Sequence, residues 1–158
     1  MQTAQIIELF AGRNEQGQPV VERLPVEVND KNECRLVRSP LFVKGLARGD
    51  LIKIDRDTGE FVIRQRSGNL CIRVFCRGDI RSLEESLTSS LEKLGGQLDL
   101  ETPRALVYSI HVSCGFEAIE KALNAHMTSE SAWFYGNVYD AQDGTTPLNW
   151  WHEILKPQ

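Results

Sequence analysis

Residues 70–96, LCIRVFCRGDIRSLEESLTSSLEKLGG, change period partway along, and that change decides the fold class. Cys71–Cys76 alternates as a strand does. From Asp79 to Leu94 the apolar residues Ile80, Leu83, Leu87, Leu91 and Leu94 recur at spacings of three and four, which places them on one helix face. Asp79 and Glu84-Glu85 lie toward the amino end, where the helix dipole favours them, and Gly95-Gly96 ends the helix.

Toward the carboxy terminus, Gln97–Glu101 alternates Leu98 and Leu100 with polar residues, Pro103 makes a corner, and Ala105–Val112 reads as a strong strand. Phe116, Ile119, Leu123 and Met127 then repeat at helical spacing, with Ser113 as the cap and Glu117 and Glu120 in the early turns. Ala132–Tyr139 is predicted as the last strand. The order β-α-β-β-α-β over 70–140 is the split βαβ arrangement of a ferredoxin-like half. Residues 141–158 form an arm in which Leu148–Leu155 makes a short helix or lies across the body.

Toward the amino terminus, residues 1–69 carry five short extended segments: Thr3–Phe10, Pro19–Val28, Glu33–Val37, Leu51–Ile54 and Phe61–Gln65. Asp57-Thr-Gly59 supplies a tight turn for the last pair. Five such strands suit a small, partly closed, β-barrel-like half. The expected fold class is therefore α+β, with both halves sharing one cooperative body of 158 residues.

Composition narrows the function. With 41% hydrophobic and 25% charged residues the chain buries a core rather than remaining disordered. Met1–Phe10 lacks the basic and long apolar regions of an export signal, and no apolar run approaches the length of a membrane span, so a cytoplasmic location is expected. Cys34, Cys71, Cys76 and Cys114 are too few and too irregular for a disulfide framework. His111 and Cys114 stand alone where zinc needs three or four ligands, and no phosphate-binding glycine loop or nucleophile elbow occurs. No cofactor, metal or catalytic centre is expected.

Charge distribution says more than the net −4. Residues 1–78 hold 13 Lys and Arg against 10 Asp and Glu, a balance of +3, whereas residues 79–158 hold 5 against 12, a balance of −7. Such an asymmetry steers a cationic partner toward the second half. The same region is rich in aromatics, the residues that anchor protein interfaces. The candidate partner-binding residues are Glu117, Glu120, Trp133, Tyr135, Asp140, Asp143, Trp150 and Trp151. Two alternatives stay open. One is an RNA-binding module using Arg64, Arg66, Arg73 and Arg77, against which the pI near 5.4 argues. The other is a small enzyme with Asp50, Arg66, Ser67 and Arg73 around a groove between the halves.

The segment Ser39-Pro-Leu-Phe-Val-Lys-Gly-Leu-Ala-Arg-Gly-Asp50, followed by Ser67-Gly68 and Ile72-Arg-Val74, resembles the bacterial domain-of-unknown-function family 4265 over roughly residues 20–140. Phe42, Lys44, Gly45, Gly49, Asp50, Ser67, Gly68 and Arg73 carry the likeness. The resemblance implies a bacterial origin and a small cytoplasmic protein of the kind that serves as an immunity partner of a secreted toxin. It implies no activity. For Arg73 the expected role is structural, tying down a loop rich in carbonyls.

Overall fold

In the computed structural model, which describes residues 3–156, the chain is a mixed α+β protein with two antiparallel sheets and three helices among the described residues. Strands β1 (Thr3–Arg13), β2 (Pro19–Val28), β3 (Cys34–Leu36), β4 (Leu51–Ile54) and β5 (Phe61–Gln65) pair in chain order. Asn14 and Asn29 shape the first two turns, each side-chain carbonyl accepting two backbone N–H groups within the next four residues. Ile7, Leu9, Leu24, Val26 and Val28 alternate inward and bury one face of the long first hairpin.

The barrel-like closure expected of this half is not completed. No ladder joins β1 to β5 among the described residues, and their ends meet where the Phe10 N–H donates to the Gly59 carbonyl at 3.1 Å. The excursion between β3 and β4, residues 37–50, contributes to the same core. Its Val43 and Leu46 join the sheet's own apolar cluster and cover it from the side.

The second sheet contains β6 (Asn69–Cys76), β7 (Gln97–Glu101), β8 (Ala105–His111) and β9 (Ser131–Tyr135), in the spatial order β7-β8-β6-β9 with antiparallel neighbours. Helices α1 (Ile80–Lys93) and α2 (Phe116–His126) pack on one face, where Leu87, Leu91, Ile119 and Leu123 meet Ile72, Val74, Leu106 and Tyr108. The Asp79 carboxylate caps α1 by accepting the Arg81 N–H, and Gly96 donates back to the Leu91 carbonyl at 2.8 Å. Ser113 is not the cap of α2. Residues 112–114 form a short 3-10 turn, Gly115 takes the cap position, and Ser113 bonds to the His111 ring. The last strand also ends earlier than the expected Tyr139, because at Gly136 the ladder gives way to the Asn137 side chain, which accepts the Cys71 N–H. A single-turn helix, α3 (Trp151–Ile154), follows. Among the described residues no helix is long and apolar enough to cross a membrane.

The opposite face of the second sheet is covered by the excursion. Leu41 and Ala47 of the excursion pack against its Cys71, Ala105 and Val107, so residues 37–50 lie between the two sheets.

Candidate functional site

An irregular segment between two sheets must satisfy its backbone groups without strands, and here buried side chains do so. The Glu22 carboxylate accepts three consecutive N–H groups, those of Leu41, Phe42 and Val43, at 2.7 to 2.9 Å. That nest curls the chain so that Leu41 and Val43 turn inward while Phe42 is left 54% exposed. From the other side Arg73, 6% exposed, donates to the Pro40 and Val43 carbonyls. Asp50 accepts from the Ala47 and Ser67 N–H groups, and Asp99 accepts from the Ser39 N–H and the Ser109 hydroxyl. Burial raises the Asp50 carboxyl above its ordinary value, against the lowering effect of those N–H donors and of Arg66.

This clamp presents Phe42 and Lys44 beside β9, which is an edge strand. The Gly136 N–H bonds the Cys71 carbonyl at one end of β9, and the Arg77 N–H bonds the Glu130 carbonyl at the other. Antiparallel alternation then turns the backbone of Ala132 and Phe134 toward β6 and that of Trp133 and Tyr135 outward. Among the described residues no backbone or side-chain group meets those outward N–H and C=O groups.

A groove of about 640 Å³ runs along this edge. It touches Trp133 and Tyr135 on one face of β9 and Phe134 on the other, so it lies alongside the strand rather than over either face. Its walls differ. The sheet face shared by Arg73, Phe75 and Phe134 carries Phe42 and Lys44 beside it, with the Phe75 and Phe134 rings 6.0 Å apart; the helix face carries Glu120, and Tyr139 and Asp140 complete the lining. Phe134 is 56% exposed, which together with Phe42 makes an apolar patch open to solvent.

Trp133 and Tyr135 are held rigidly. The Trp133 indole N–H donates to Asn124 and the Tyr135 hydroxyl to Glu120, each at 2.8 Å. Burial, and then the bond to Glu120, push the Tyr135 phenol upward, so it remains a donor at neutral pH. Edge-to-face contacts run from Trp133 through Tyr135, Phe116 and Trp151 to Trp150, with ring centroids 4.9 to 5.8 Å apart.

The structure therefore brings Glu120, Trp133, Tyr135 and Asp140 of the expected partner-binding set to one groove. Glu117 lies in the first turn of α2, and Asp143 closes the exposed 140–146 turn by accepting from Thr145 and Thr146. Trp150 and Trp151 are half-buried against the helical core; the Trp150 indole donates to the Asn137 carbonyl, and the Arg66 guanidinium lies 5.2 Å from its ring. Of the four arginines of the nucleic-acid alternative, Arg64 pairs with Glu33, Arg66 donates to the Gly45 carbonyl, Arg73 is buried and Arg77 lies beyond the far end of β6. Asp50, Ser67 and Arg66 do meet, with Ser67 donating to Asp50 and Arg66 4.0 Å from it, but they hold backbone at the foot of the excursion. Among the described residues no group of three His, Cys, Asp or Glu could hold a metal.

Sequence reasoning passed over Glu22 and Asp99 and met Phe42 only as part of the family likeness. A signal existed for Glu22, which shares the inward parity of Leu24, Val26 and Val28 and so places a carboxylate on an apolar face.

The clamp falls within the stretch that matches a known family. A model for the family described as Domain of unknown function (DUF4265) matches residues 22–135, and the chain belongs to that family. Glu22 and Tyr135, which bound the match, are the clamp's carboxylate and the last residue of β9. A crystal structure of a hypothetical protein from Neisseria gonorrhoeae shares the fold, with a TM-score of 0.66 at 15% identity over 86% of this chain and 94% of that one. No curated protein matches.

Proposed function

We propose that this chain is a non-catalytic protein-binding domain whose partner docks along the β9 groove. The partner is basic, and the specific role is that of a cytoplasmic immunity protein that neutralises a secreted toxin such as a nuclease. The observation that carries the reading is the pairing of exposed Phe42 and Phe134 with the carboxylates of Glu120 and Asp140 around one groove. An aromatic anchor beside steering charge is what a tight, fast-associating interface uses. The polar groups of the clamp, by contrast, are taken up in holding backbone, which favours a binding surface over a reactive centre there. We also read residues 70–140 as a ferredoxin-like unit, which the element order and the strand order β7-β8-β6-β9 support.

The test uses the full chain to capture its partner from the native host, with identification by mass spectrometry and kinetics on the purified pair. A basic protein bound one to one, and a Phe134→Ala variant that dissociates roughly 30-fold faster, are expected from the loss of an anchor of about 2 kcal/mol. An acidic partner, or full affinity in that variant, would contradict the reading.

A further inference from the structure

We infer that the β9 groove takes an extended polypeptide segment as an added antiparallel strand, one whose side chains alternate between apolar and cationic. This rests on the protein-binding reading and adds to it the conformation and chemistry of what is bound.

The backbone argument comes first. Trp133 and Tyr135 each leave an N–H and a C=O pointing outward with no partner among the described residues, two residues apart, at the floor of a groove. That row is the template on which strand addition works. Each strand neighbour in this sheet is antiparallel, so the added strand continues the pattern. A helix or a small rigid ligand would leave those groups unsatisfied.

The side-chain argument fixes the sequence pattern. Residues directly opposite each other on paired strands share a face. Those across from Phe134 meet the sheet face that carries Phe75 with Phe42 beside it, whereas those across from Trp133 and Tyr135 meet the helix face, where the Glu120 carboxylate lies 2.8 Å from the Tyr135 hydroxyl. Hence apolar and cationic positions alternate. The cationic positions are also the ones whose backbone bonds the edge, because Trp133 and Tyr135 carry the outward groups.

The experiment uses the full chain and capped octapeptides. An alternating Val-Lys peptide is expected to bind saturably and to slow amide exchange at Trp133 and Tyr135 at least tenfold. A Val-Glu peptide and a peptide of four Val followed by four Lys are expected not to. N-methylation of every Lys should abolish binding, whereas N-methylation of every Val should change affinity less than threefold. Equal binding of the Val-Glu or block peptide, equal tolerance of both methylation patterns, or protection of both amides by self-association without peptide would overturn the inference. The two readings fail separately. If the captured partner needs Phe134 yet leaves the Trp133 and Tyr135 amides exchanging freely, strand addition falls and the binding reading stands. If the Val-Lys peptide behaves as described while the captured partner is acidic, the basic-partner reading falls and strand addition stands.

Discussion

Three consecutive backbone N–H groups converging on the Glu22 carboxylate, with Arg73 gripping the carbonyls of the same turn, make the position of Phe42 a consequence of two side chains. Replacing Arg73 by Met leaves the buried Val43 carbonyl without a donor and the Pro40 carbonyl with only the weak Cys71 thiol at 3.5 Å. A loss of about 3 kcal/mol is expected, seen as a lower urea midpoint at unchanged slope; an unchanged midpoint would remove Arg73 from the clamp. Gly68 sits at φ +95° with the His111 ring against the place a Cβ would occupy. Gly68→Ala should cost about 1–2 kcal/mol from the backbone alone and more from the ring, and His111→Ala should relieve only the second part. Additive costs in the double variant would show that the ring is not in contact. The thiols divide by burial. Burial pushes Cys71 up to about 11 and raises Cys34, whereas Cys114 is partly exposed, so native protein should show one fast-reacting thiol and unfolded protein four. The role of Arg73 as a tether was legible through the family resemblance that the sequence carries. Asp99 was not, because its partners Ser39 and Arg48 lie more than fifty residues away and only folding brings them together.

Among the elements, α1 was legible almost to the residue, since its apolar period, its Asp79 cap and its terminal glycines are all local signals. Five strands in the first half were legible for the same reason. The place of Val43 and Leu46 in their core was not, because the excursion that carries them has no periodicity. Just past the end of β9 the need for glycine is tertiary too: a Cβ at Gly136 would fall 2.7 Å from the Cys71 sulfur and 2.9 Å from the Arg73 Nε. Beyond it, the 140–146 turn carries its own pH test. Hydrogen bonds from the Thr146 hydroxyl and then the Thr146 and Thr145 N–H groups hold Asp143 down to about 2. A carboxyl depressed on folding contributes above its unfolded pKa of about 3.9 and loses that contribution as pH falls through the folded value. The Thr146 amide should therefore titrate with a midpoint near 2 by NMR; a midpoint near 4 would mean that the turn is not held by Asp143.

At the scale of the molecule, the excursion is shared property of both sheets. Arg48 reaches Ser109 at 2.8 Å and Asp99 at 3.6 Å on one side, while Val43 and Leu46 complete the core of the other. A single calorimetric transition with equal van't Hoff and calorimetric enthalpies is expected, and two separated peaks would show that the excursion does not couple the sheets. The acidic balance of residues 79–158 was plain in the sequence, whereas the focus of Glu120 and Asp140, with exposed Phe42 and Phe134, on one unpaired strand edge needed the fold. That focus is the central claim, and the association rate of the captured partner tests it most directly. Neutralising the groove with Glu120→Gln and Asp140→Asn should slow association severalfold at low salt and flatten its dependence on ionic strength, leaving dissociation nearly unchanged. An unchanged association rate at low salt, with association abolished instead by reversing the charge of Arg64, Arg66 or Arg77, would contradict the account.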